Sequence, residues 1–193
     1  MMRIGNIPGS TRPNCVGEQV ARWVLDASSR RRDAEFELID LRDYPLRHLD
    51  EPLPAVRSCE YQHAHTRAWS SEIDSFDGFV IVTAEYNHSV PGVLKDTLDY
   101  LYEEWNHKVV GLVSYSSVGG ARAAEHLRLV CGALEMVVVP RQLALLLLTD
   151  FQNFTTFTPG SYSLAALDSL LDQIVAWGAT LAALRATHRA AAA

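Results

Sequence analysis

The stretch "GFVIVTAEYNHSVPGVLKDTLDYL", residues 78–101, opens as a continuously apolar run. It turns polar at Glu85-Tyr86-Asn87-His88 and resumes a helical pattern at Pro91. A short run such as "GFVIVT" is the pattern of a strand covered on both faces. Over 91–104, Leu94, Leu98, Leu101 and Trp105 share one helical face, and Pro91 suits the first turn. Asn87 and Ser89 read as turn and capping residues, and Glu85 by itself as a solvated carboxylate. Tyr86 and His88 are bulky for such a loop, which raises the question of what it faces.

Outward from this segment, strand and helix patterns alternate along the whole chain. Towards the amino end, "RIGNI" reads as a first strand. Residues 14–30 read as a helix with Val16, Val20, Trp23, Val24 and Ala27 on one face. "EFELI", 35–39, reads as a second strand. A proline-rich, irregular excursion follows (Pro45, Pro52, Pro54), and "HTRAWSSEIDSF", 65–76, returns to helical spacing. Towards the carboxyl end, "KVVGLVSY", 108–115, is the fourth strand, 120–133 a helix and "EMVVV", 135–139, the fifth strand. A last amphipathic helix over 161–185 displays Leu164, Leu167, Leu171, Ile174, Leu181 and Leu184, and the alanines from 190 on read as a frayed tail. "LALLLLTDFQNFTTF", 143–157, is unusually apolar for a connection. It reads as a mixture of core packing after strand five and a subunit interface.

Five β units joined by helices imply an α/β fold, a single domain over 1–193. Its doubly wound parallel five-stranded sheet has helices on both faces and right-handed crossovers. In such a sheet ligands bind beyond the carboxyl ends of the strands, at the topological switch point. The loops leaving strands one, three and four are therefore the candidate site.

Composition narrows the partners. The chain is 48% hydrophobic and 21% charged, an ordinary globular balance. A net charge of −6 argues against nucleic acid as a partner. Arg30-Arg31-Arg32, followed by Asp33 and Glu35, reads as the solvated end of a helix. Cys15, Cys59 and Cys131 are odd in number and lack CxxC spacing, which fits reduced thiols and a cytoplasmic location. Gly5, Asn6 and Pro8 interrupt any signal-peptide core. The apolar run Leu143–Leu148 falls far short of the ~20 residues of a membrane span, so no membrane partner is expected.

The first strand-end loop is "GSTRPNCVGE", 9–18. Gly9 allows a tight turn, Ser10 and Thr11 bring hydroxyls, and Arg12 brings a planar cation just before a helix start. That set makes an anion pocket, phosphate above all, with an ordinary capped turn as the alternative. The Walker A and G-x-G-x-x-G patterns are both absent. A phosphatase thiolate loop would need arginine six residues after Cys15, where Ala21 stands. The third loop, "SYSSVGGARA", 114–123, carries Gly119-Gly120, suited to a flat ligand or to a second backbone at close range. It also reads as a plain flexible turn.

Taken together, "GSTRP…VGE", "HTRAW", "AEYNHSVPGVLKDTLDYL" and "VSYSSVGGARAAEHLR" resemble the NADPH-dependent FMN reductase family of flavodoxin-like proteins. The likeness covers residue 1 to about 140, and the E-Y-N-x-S-x-P-G-x-L-K run is its specific part. The resemblance implies strand order 2-1-3-4-5 with FMN beyond strands one and three. It implies that Ser10, Thr11 and Arg12 hold the FMN phosphate with amides around Asn14, Cys15 and Val16. Ala84, Glu85, Tyr86 and Asn87 would line the isoalloxazine, with Ser116, Ser117, Val118, Gly119 and Gly120 along its other edge. It also implies NADPH or NADH as electron donor, and a homodimer or homotetramer built through the helix after the E-Y-N loop. The chain departs from the family pattern at Asn14-Cys15, where Gly-Arg is usual, at Ala84, where proline is usual, and at Asn6 and Pro8 in the first strand.

The implied reaction passes hydride from nicotinamide to FMN, then electrons to a quinone, an azo dye, an oxidised metal, free flavin or oxygen. FMN itself carries that chemistry, so no side chain is assigned as a catalytic acid or base. The alternative is a flavodoxin-like electron carrier or interaction subunit with weak flavin binding. A metal at His63, His65 and Cys59 is disfavoured, since H-x-H on a helix points its rings to different sides. A serine hydrolase is disfavoured by the absence of G-x-S-x-G.

Overall fold

The computed structural model of the chain describes residues 1–192, with side chains through His188. Its central sheet contains β1 (Met2–Pro8), β2 (Ala34–Leu38), β3 (Gly78–Ala84), β4 (Val109–Ser116) and β5 (Val137–Leu146). All pairings are parallel and the order is β2-β1-β3-β4-β5. The helices are α1 (Gly17–Ser28), α2 (Ala64–Asp74), α3 (Gly92–Asp99), α4 (Ala121–Ala133) and α5 (Ser161–Ala192). The order reverses between β1 and β3, so the loops after those strands part there and leave a crevice.

Two cores sandwich the sheet. On one face Val20, Val24, Leu167, Leu171 and Ile174 of α1 and α5 pack on Ile4, Val80, Val82 and Val113. On the other, Trp69, Ile73, Leu94, Leu98 and Leu127 of α2, α3 and α4 pack on Ile7, Phe79, Ile81 and Leu112. β3 and β4 are buried along their entire length, as their unbroken apolar runs require. Asn6 lies in the buried part of β1. Its Nδ2 donates to the Ala21 carbonyl (2.7 Å), while Oδ1 has no partner among the described residues.

Several boundaries differ from the sequence reading. The first helix begins at Gly17, not 14, because Arg12–Cys15 closes a turn that holds Asn14 in a left-handed conformation (φ 58°). The helix expected over 91–104 stops at Asp99, and a 3-10 turn over Glu103–Trp105 follows. Two indoles accompany that stop: Trp69 and Trp105 donate through Nε1 to the carbonyls of Thr97 (3.1 Å) and Leu98 (3.2 Å).

The fifth strand starts later and runs further than "EMVVV". It continues through Pro140 to Leu146, with a register irregularity between Val110 and Leu112 on β4. Pro140 is tolerated because β5 is an edge strand and the ladder is already broken there. The chain then forms a small antiparallel hairpin, β6 (Phe151–Gln152) and β7 (Thr156–Phe157). Arg31 extends past α1 as a bridge to Asp33 (2.6 Å) and Asp172 (2.8 Å). His63 and His65 stack in parallel, 5.2 Å apart, instead of diverging, because His63 is an extended residue ahead of α2.

The final helix runs to Ala192, and the end of the tail expected to fray, Ala193, lies outside the described residues. Residues 161–188 are long and apolar enough to cross a membrane by composition, a property the sequence reading did not register. In this fold Leu167, Leu170, Leu171 and Ile174 of that helix are buried against the sheet. The core helix of a globular protein meets the same criterion.

Candidate functional site

β1 delivers the chain to Gly9, whose N–H donates to the Val82 carbonyl of β3 (2.8 Å). Cys15 N–H donates to the Arg12 carbonyl (3.1 Å), closing a turn with Pro13 second and left-handed Asn14 third, the type II pattern. Asparagine is one of the few residues with a side chain that enters this region at low cost, so the turn survives without the family's glycine. The Cys15 thiol donates to the Ser10 carbonyl (3.5 Å). Val16, at the head of α1, offers no side-chain cap, which leaves amides of the first turn for other acceptors. Gly17 lets the helix start come close: a Cβ there would lie 2.6 Å from Tyr115 Oη.

The second loop answers the question its sequence raised. Tyr86 N–H donates to the Ser89 carbonyl (2.9 Å) and Ser89 N–H to the Tyr86 carbonyl (3.1 Å). Between them Asn87 (φ 49°) and His88 (φ 76°) are both left-handed, which makes a two-residue hairpin turn of type I′. The turn folds Tyr86 back over the first loop. Its hydroxyl accepts from Arg12 Nε (3.1 Å) and lies 3.1 Å from Ser10 Oγ.

Glu85 does not stand in solvent. Its side chain is only 4% exposed and accepts from Arg122 Nε (2.7 Å) and from the Arg122 backbone N–H (3.1 Å) at the start of α4. Burial pushes this carboxyl up. The bonds from Arg122 and from the helix amides outweigh that and hold it below the usual carboxylate range.

In the third loop Ser116 Oγ accepts from the N–H groups of Val118 (3.0 Å) and Gly120 (2.8 Å). Gly119 and Gly120 are both left-handed (φ 72° and 68°), and a Cβ on Gly120 would lie 2.8 Å from the Ser114 Cβ. The diglycine therefore serves the approach of the chain's own backbone to β4.

The three loops border one cavity of about 520 Å³ at the carboxyl end of the sheet. Arg12, Asn14 and Val16 line it from the first loop, Ala84, Glu85, Tyr86 and Asn87 from the second, and Ser116 and Ser117 from the third. Ser10, Thr11, Cys15, Val118, Gly119 and Gly120 are not among its lining residues. Ser10 reaches it through Tyr86, and Val118 and Gly120 brace Ser116 from behind. His88, Tyr115, Arg122, Leu147, Phe154 and Thr155 also line it and were not assigned as site residues, although His88 was noted as bulky and Tyr115 and Arg122 lie in the third candidate loop. For Phe154 and Thr155 the one signal was the excess apolarity of 143–157.

These residues fit a flavin mononucleotide. One end offers an anion's partners: the uncapped start of α1 with Arg12 beside it. The walls offer flat and apolar surface from Tyr86 and Leu147, with hydroxyls from Ser116 and Ser117. The volume lies within the ~300–1,000 Å³ usual for small-molecule sites.

A second cavity of about 440 Å³ lies at the opposite, amino end of the sheet, and three of its charged residues are tied to the protein itself. Lys108 donates to the Ile73 carbonyl (2.6 Å), Arg185 to Asp77 (2.7 Å), and Glu104 accepts from Tyr61 (2.9 Å) and Ser70 (2.6 Å). That network holds α2, α5 and the segment before β4 together.

Comparison with known proteins shows the family. The family model described as NADPH-dependent FMN reductase matches residues 2–147. An NAD(P)H-dependent FMN reductase of Schizosaccharomyces pombe is 43% identical over 145 residues, 75% of this chain and 72% of that protein. A 2-hydroxy-1,4-benzoquinone reductase of a Burkholderia species is 33% identical over 147 residues, 72% of this chain and 74% of that protein. FerB, a flavoenzyme NAD(P)H:(acceptor) oxidoreductase from Paracoccus denitrificans, shares the fold with a TM-score of 0.70 at 18% identity, over 93% of this chain and 98% of FerB. The matched segment contains all three loops of the crevice, and the chain belongs to the NADPH-dependent FMN reductase family.

Proposed function

We propose that the chain is an FMN-dependent NAD(P)H oxidoreductase that reduces small acceptors of the quinone or azo type, with oxidised metals and free flavin as further candidates. The observation that carries this reading is the meeting of the loops after β1, β3 and β4 around one cavity with an anion-binding end. Bound FMN supplies the redox chemistry, taking hydride from the nicotinamide and returning electrons to the acceptor. A quinone reduced in this way gains two electrons and two protons, one proton with its electrons from the nicotinamide hydride and the other from solvent.

The chain's own residues bind and orient. Arg12, Ser10 and the α1 amides hold the phosphate. Tyr86, Asn87, Ser116 and Ser117 border the ring system, with Val118 and Gly120 bracing Ser116. The Glu85–Arg122 pair fixes the second loop against α4. No side chain is required to move a proton in the hydride step. The working unit is one domain, acting in the cytoplasm as a homodimer or homotetramer. The family resemblance supports the assembly, and reduced-thiol cysteine usage supports the compartment.

The test is to titrate purified protein with FMN and follow NADPH and NADH oxidation with a quinone acceptor, with light scattering for the assembly. Saturable FMN binding and acceptor-dependent turnover are expected. Tight FMN binding without NAD(P)H oxidation would instead mark an electron carrier.

A further inference from the structure

The hairpin β6–β7 lies beyond residue 147, where the family match ends, yet its tip borders the crevice. Thr155 N–H donates to the Gln152 carbonyl (3.1 Å), closing a turn around Asn153 (φ 52°) and Phe154 (φ 58°). Two left-handed residues in succession form a type I′ turn, whose second corner is normally glycine. Here that corner holds phenylalanine, a bulky residue that rarely adopts this conformation. Phe154 is 58% exposed and borders the cavity together with Leu147 and Tyr86.

The base of the hairpin is firmly held. The Gln19 side-chain amide of α1 acts as a short strand: Nε2 donates to the Thr155 carbonyl (2.8 Å) and Oε1 accepts from Phe157 N–H (2.9 Å). Buried Asp150 accepts from Leu146 N–H (2.8 Å) and Ser163 Oγ (3.2 Å). Phe157 packs edge-on against Trp23 (5.3 Å), and Phe151 packs against Phe157 (5.1 Å) and Tyr115 (6.0 Å). A strained, exposed aromatic residue at the tip of a pinned hairpin is costly in solvent and contributes little to the core. Strain held at a site by its surroundings is a pointer to function.

We infer that Phe154 is a specificity-determining residue, whose ring packs against the aromatic ring of a planar, quinone-class electron acceptor entering the crevice, and that Gln19 positions it. The inference rests on the function proposed above and adds the side chain that selects the quinone among its acceptors. Flat aromatic pairs gain from offset or edge-on contact beyond simple area burial. A small inorganic oxidant such as ferricyanide has no such face and gains nothing from Phe154.

The test uses the FMN-loaded protein and the variant Phe154→Gly, which removes the ring and relieves the left-handed corner, so a folding defect is not the expected outcome. The KM for a naphthoquinone is expected to rise at least fivefold, with ferricyanide turnover and FMN Kd within twofold of the wild type. Without NADPH, the same quinone is expected to bind the variant at least fivefold more weakly, read from its perturbation of the flavin absorbance. Phe154→Trp is expected to restore both. Unchanged naphthoquinone binding and KM would overturn the inference. So would a loosened FMN Kd or slower ferricyanide turnover, which would assign the ring to cofactor or nicotinamide. A wild-type protein that takes no FMN, or oxidises no NAD(P)H with ferricyanide, would overturn the proposed function and this inference with it.

Discussion

Glu85 and Arg122, 37 residues apart, join the loop after β3 to the first turn of α4. The carboxylate is nearly buried while the guanidinium is 44% exposed, so the two partners have unequal alternatives. Arg122→Ala leaves Glu85 with helix amides alone and is expected to cost about 1–2 kcal/mol of stability, since a hydrogen bond to a charged group contributes about that much. Urea denaturation monitored by far-UV circular dichroism measures it, and a loss below a few tenths would contradict the assignment.

The same carboxyl sets a pH dependence. Its folded-state value lies below the unfolded one, so its contribution is complete above the ordinary glutamate range and disappears as pH falls through the folded value. Glu85→Gln is expected to be less stable than wild type near neutrality. The gap should narrow as pH drops below about 4.3, where unfolded glutamate protonates. Melting temperatures of both proteins from pH 7 to 3 provide the comparison.

The Arg12 side chain is exposed and, among the described residues, bonds only to Tyr86 Oη and, at 3.4 Å, to the Pro13 carbonyl, so the fold makes little use of its charge. Arg12→Ala is expected to weaken FMN by tenfold to about a hundredfold, the equivalent of one charge-assisted contact. The melting temperature of the apoprotein should move by no more than a degree or two. Fluorescence titration with FMN and a thermal melt read the two quantities separately.

Gly17 has no room for a side chain opposite Tyr115. Gly17→Ala is expected to displace the start of α1 and weaken FMN binding. Adding Tyr115→Phe removes the nearest atom and should restore part of the loss. Equal FMN affinity in the single and double variants would show that the contact is not what positions the helix.

Asn6 combines a satisfied donor with an unpartnered acceptor in the interior of β1. Asn6→Val exchanges that amide for a branched apolar side chain suited to a strand. The variant is expected to be at least as stable as the wild type, by up to about 1 kcal/mol, because a lone buried acceptor costs that order of free energy. A loss of 2 kcal/mol in chemical denaturation would show that the Ala21 bond matters more.

The sheet and the position of the crevice were legible because they rest on local patterns. "GFVIVT" and "KVVGLVSY" each read as buried strands, and each is. What escaped the sequence was decided elsewhere. Asn14 turning left-handed shortened the first helix, a conformational choice that 3.6-residue periodicity does not register. Pro140 reads as the end of a strand in a central position, but the edge of the sheet permits it. The Glu85–Arg122 and Gln19–hairpin contacts are tertiary, between residues 37 and 136 or more apart. The apolar stretch 143–157 was noticed, yet its alternation did not reveal that it would fold back to the crevice.

Both margins of the sheet resist extension. β5 presents Pro140 and an irregular ladder, while β2 is five residues long and carries Glu35 and Glu37. Such margins give a foreign strand few free backbone groups and an unwelcome charge. Two copies of this protein therefore have no good way to fuse their sheets edge to edge. Association through helices or loops meets neither obstacle.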